Sequence, residues 1–130
     1  MVYNLFQYYK DELTGWNSTL ETYNQQSGEF VRKISVGTKQ QIKAGPDKES
    51  ETFIDRFMAQ EQNFGQITNL ITSQQQRLDR SVTIPVKPIE DSICDQQDLL
   101  RTRMHAAEKN FVRIKYACSV FMSSFLNGNV

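Results

Sequence analysis

The stretch ICDQQDLLRTRMHAAEKNFVRIKYACSVFMSSF, residues 93–125, decides how the chain is read. In it Ile93, Gln97, Leu100, Met104, Ala107, Phe111, Ile114, Cys118, Phe121 and Phe125 recur at alternating steps of four and three. A helix turns about 100° per residue, so this spacing lines one face and makes a seam of the coiled-coil type. Asp91 or Ser92 is the expected N-cap, with Asp95 in the first turn, where the helix dipole favours negative charge. Asn127-Gly128 supplies the stop.

Two more seams lie upstream. Phe6, Tyr9, Leu13, Trp16, Leu20, Tyr23, Ser27, Phe30, Ile34, Gly37 and Gln41 keep the same alternation, and Gly45-Pro46 ends that helix. Phe53, Phe57, Gln60, Phe64, Ile67, Ile71, Gln74 and Leu78 form the second, capped by Asp47 or Ser50. The short link between them makes these two helices antiparallel neighbours. Pro85 and Pro88 forbid a helix interior, so 81–91 reads as an extended connector across one end. Its Pro85-Val86-Lys87-Pro88 matches P-x-x-P, an unspecific motif.

No helix of this kind buries its seam alone. The sequence therefore predicts an all-α, elongated antiparallel three-helix bundle with helices at about 2–43, 50–80 and 91–127, one domain over 1–130. Closure of a long hairpin with another chain fits the heptads as well. In the up-down-up arrangement Phe121 and Phe125 meet Phe30, Ile34, Phe53 and Phe57, while Ile93 and Leu100 meet Phe6, Tyr9, Leu13 and Leu78. The architecture resembles spectrin-type repeats and the N-terminal domains of membrane-fusion syntaxins, a likeness that transfers no function. Ser27, Gln41, Gln60, Gln74 and Gln97 punctuate the seams. They are expected at the rim, half solvated.

Composition narrows the function. The 130 residues hold 15 Lys plus Arg against 15 Asp plus Glu, which argues against a non-specific nucleic-acid binder. No apolar run reaches the length of a membrane span, and MVYNLFQYYKDEL has no signal-peptide pattern. Cys94 and Cys118 stand 24 positions apart on one helix, about 36 Å, so a disulfide between them is not expected and a reducing, cytoplasmic setting fits. The sequon Asn17-Ser18-Thr19 falls mid-helix, not in a loop.

Chemistry is scarce. His105 is the single histidine, and His105 with Glu108 is too small a set for a metal. Cys118 is a seam thiol, expected buried and inert, and Cys94 is expected to be more exposed. There is no phosphate-binding glycine loop and no nucleophile elbow. Gly15, Gly28, Gly37 and Gly65 lie inside predicted helices, where each costs stability unless it admits a close neighbour or a bend. No catalytic residue, metal or cofactor is expected, and no small-molecule substrate.

One surface is unusual. Val112, Tyr116 and Val120 repeat every four residues on the side of helix three opposite its seam, and Leu126 extends the line. A helix apolar on two faces is buried all round or meets a partner, and either reading makes helix three the most buried element. A milder basic cluster, Arg32, Lys33, Lys39 and Lys43, closes helix one. The expected function is a non-catalytic interaction or structural subunit, an adaptor docking a protein partner or a second copy through Val112, Tyr116, Val120 and Leu126. The alternative is a peripheral membrane-binding or trafficking module using the basic cluster.

Overall fold

A computed structural model describes residues 4–40, 48–82 and 90–126. It contains α1 (Leu5–Gln40), α2 (Lys48–Val82) and α3 (Asp91–Leu126), each about 54 Å long. The three pack as an all-α bundle, up-down-up. α1 and α3 run parallel, since Gln97 reaches Glu12 at one end and Lys115 reaches Gln26 further along. α2 runs against both: Lys10 pairs with Asp79, Ser27 with Glu61, and Phe53 stacks on Phe121. Closure within one chain is thus what the structure has. α2 is the central element, because α1 and α3 touch each other least.

The seams are the core. Leu13, Leu20, Phe57, Phe64, Ile67, Ile71, Leu78, Leu100 and Phe111 are completely or almost completely buried. Ring-on-ring contacts run from the middle of the bundle, at Tyr23, Phe64 and Phe111, to the end where Phe53 meets Phe121. Phe111 lies 4.8 Å from Tyr23, meets Phe64 edge-on at 5.3 Å, and Phe30 stacks on Phe57 at 5.2 Å. Such pairs add about 0.5–1.5 kcal/mol each beyond the area they bury.

The helix ends differ from the expected ones in instructive ways. Asn4 caps α1, its Oδ1 accepting from the Gln7 amide at 2.9 Å, so the helix starts three residues later than its apolar pattern suggests. α2 starts at Lys48, which puts Ser50 inside the first turn, buried, with its hydroxyl unpartnered and no capping role. Glu90, rather than Asp91 or Ser92, precedes α3, and its carbonyl accepts from Ile93 and Cys94. Asp91 is then the acidic residue of the first turn and Asp95 belongs to the second. Residues 81 and 82 continue α2 instead of joining the connector. Asp47, Gly45-Pro46, Pro85, Pro88 and Asn127-Gly128 lie outside the described residues.

The polar seam residues are the main departure. Ser27, Gln74 and Gln97 are not half solvated at a rim but fully buried. They stay inside because each finds partners across the bundle. Ser27 donates to Glu61 at 2.6 Å. Gln74 Nε2 donates to the Ile93 carbonyl at 2.9 Å and to Gln97 Oε1 at 3.0 Å. Gln60 is partly buried, as expected of a rim position, and Gln41 lies outside the described residues.

Candidate functional site

The outer face of α3 is built by the same helical geometry that makes its seam. With Leu100, Met104, Ala107, Phe111, Ile114 and Cys118 turned inward, Leu99, His105, Val112, Tyr116 and Val120 turn outward. Val112 is 51% exposed, Tyr116 73% and Val120 53%. Internal burial of the line is therefore ruled out among the described residues. Tyr116 to Leu126 holds no charged residue on any face. The side chains of Phe125 and Leu126 lie outside the described residues. A shallow groove of about 550 Å³ follows the start of the line, walled by His105, Glu108, Lys109, Val112 and Arg113. A second, of about 360 Å³, separates α2 from α3 between Arg56, Gln60, Asn110 and Arg113.

A polar layer crosses all three helices near the opposite end. Glu12 of α1 receives a two-pronged ion pair from Arg101 of α3, at 2.6 and 2.9 Å, and Gln97 Nε2 donates to it at 3.0 Å. Arg101 also reaches Asp98 at 2.7 Å. Partial burial pushes the Glu12 carboxyl up, yet the hydrogen bonds from Arg101 and Gln97 outweigh it and hold the group below the usual carboxylate value. The Arg101 guanidinium is held more firmly protonated, first by its hydrogen bond to Glu12. Burial, with a hydrogen bond to the Cys94 thiol, pushes the Tyr9 phenol up to about 12. The sequence reading missed this layer. Its signal was there: Glu12 and Arg101 flank their seams at facing positions of parallel helices, where opposite charges pair.

This layer positions the three helices against one another. His105 is exposed, and among the described residues no three His, Cys, Asp or Glu side chains gather to hold a metal. Cys94 and Cys118 are free thiols, and burial pushes Cys118 up to about 11, which keeps it a neutral packing group. Asn17 lies mid-helix with its carboxamide oxygen enclosed. Of the basic cluster, Arg32 and Lys33 are exposed on α1, with Lys33 6.0 Å above the Phe30 ring. Lys39 falls in the last turns of α1, and its side chain and the whole of Lys43 lie outside the described residues. The structure thus brings Val112, Tyr116 and Val120 into one surface and leaves the basic cluster on another helix.

No protein-family model, curated protein or solved structure matches the chain.

Proposed function

We propose that the protein is a non-catalytic interaction subunit, an adaptor that docks a protein partner through the outer face of α3. The observation that carries this reading is the exposed line Val112, Tyr116 and Val120, three large apolar side chains on a helix whose seam is already satisfied. Left in water they stabilise nothing; covered, each contributes about 1–2 kcal/mol at 25 cal/mol per Å² of apolar area. The uncharged run from Tyr116 onward removes the desolvation cost that charges would add to such an interface. Two free thiols and a polar, disulfide-free surface fit work in the reducing cytoplasm.

The test is a double variant, Tyr116→Glu with Val120→Glu. Association measured by light scattering and by pull-down of co-purifying protein is expected to disappear, while the circular dichroism of the helices stays unchanged. Association that survives both glutamates refutes the docking face. Arg32 and Lys33, exposed together on α1, support the membrane alternative. Salt-sensitive sedimentation with anionic vesicles, lost on Arg32→Glu with Lys33→Glu, would establish that alternative instead.

A further inference from the structure

The charges on the outer face of α3 are segregated. Three of its exposed acids, Asp91, Asp95 and Asp98, precede Leu99, its exposed bases, Lys109 and Arg113, follow it, and one further exposed acid, Glu108, stands at the edge of the face beside Val112. Each half also suits the helix dipole, with acids at the N-terminal end. The consequence is a face that is complementary to itself when one copy is turned end for end.

Resting on the docking reading above, we infer that the occupant of this face is a second copy of the chain, packed antiparallel α3 to α3 about a two-fold axis between His105 and Ala106. That axis pairs positions whose numbers are equally far from it. Leu99, 52% exposed, then falls opposite Val112 of the second copy. Asp98 falls opposite Arg113, and Asp95 opposite Tyr116, whose phenol O–H donates to the carboxylate. Ala106 at the axis presents only a methyl group and lets the backbones approach. Each pairing occurs twice, as a two-fold interface requires.

The partners are free to make these contacts. Among the described residues Arg113, Lys109 and Asp95 have no ion pair, and Asp98 uses one oxygen on Arg101. A parallel pairing sets acid against acid and base against base, so the charge pattern selects the antiparallel one. A flat anionic bilayer is disfavoured as occupant, because the same face carries the three aspartates at its other end. One helix face gives an interface at the small end of the specific range, so the dimer is weak and salt-sensitive.

Sedimentation equilibrium over a wide concentration range tests this with charge exchange. The full-length chain is expected to dimerise reversibly, and Asp98→Arg or Arg113→Asp alone to weaken the dimer by about tenfold or more. The double variant Asp98→Arg/Arg113→Asp restores both pairs in the antiparallel dimer and is expected to regain most of the affinity. These sites are exposed, and helicity measured alongside reports that every variant is folded. A chain that is monomeric throughout, or a dimer indifferent to the single reversals, or a double variant no better than the singles, overturns the inference. The docking reading is judged separately: a dimer lost on Tyr116→Glu/Val120→Glu but indifferent to the charge reversals leaves that face in use and rejects this pairing.

Discussion

Glu12 carries more of the α1–α3 contact than any other polar side chain, because both its oxygens and the Gln97 amide depend on it. Replacing it by Gln keeps the shape and removes the charge that Arg101 needs. Leaving those partly buried donors poorly satisfied costs about 1–3 kcal/mol. The pH dependence has a definite sign. The folded carboxyl sits below its ordinary value, so its contribution is present above that value and is lost as pH falls through the depressed one. Urea unfolding at pH 7 is expected to show Glu12→Gln less stable than the parent chain. The gap should close as pH drops below about 4. A gap that persists at acid pH contradicts the assignment. At this scale the sequence was only half legible. Periodicity located Gln74 and Gln97 on seams, but whether a seam glutamine is wet or buried depends on the partner that the fold brings to it. Gln97 is 85 positions away from Glu12.

At the scale of the element, the alternating three-four spacing identified all three helices and nearly every buried side chain, because one period governs both. The ends were less legible, since caps are set by single residues such as Asn4 and Glu90 that sit outside the periodic run. The glycines also needed the structure. At Gly15, Gly28 and Gly65 an added Cβ meets nothing within 4 Å, so of the two roles open to them, a close neighbour or a bend, the first does not apply. They are plain gaps in helix propensity. Gly28→Ala and Gly65→Ala are each expected to stabilise the fold by about 1 kcal/mol, and together by about twice that, read as a rise in the thermal midpoint. No change, or a loss, would show that the helices bend at these points in solution. The two faces of α3 follow the same logic. The inner one was readable as a seam; the outer line was readable as an anomaly, and only the packing of α1 and α2 decided that it lies open.

For the whole molecule, the balance of fifteen charges of each sign hides an arrangement that matters. One end of the bundle is cross-linked by the Glu12–Arg101–Gln97–Gln74 layer, and the other is filled by stacked aromatic rings. The polar layer fixes which helix runs parallel to which, and the aromatic end supplies apolar burial. Among the described residues the outside of α3 leaves Leu99, Val112, Tyr116 and Val120 uncovered, and the proposed docking uses that surface. The most direct test is the native mass of the purified 15.1 kDa chain by sedimentation velocity, beside its Tyr116→Glu/Val120→Glu variant. The account predicts a particle heavier than one chain for the parent, as a dimer or with bound protein, and a single 15.1 kDa chain for the variant. Equal masses for the two at every concentration would contradict it.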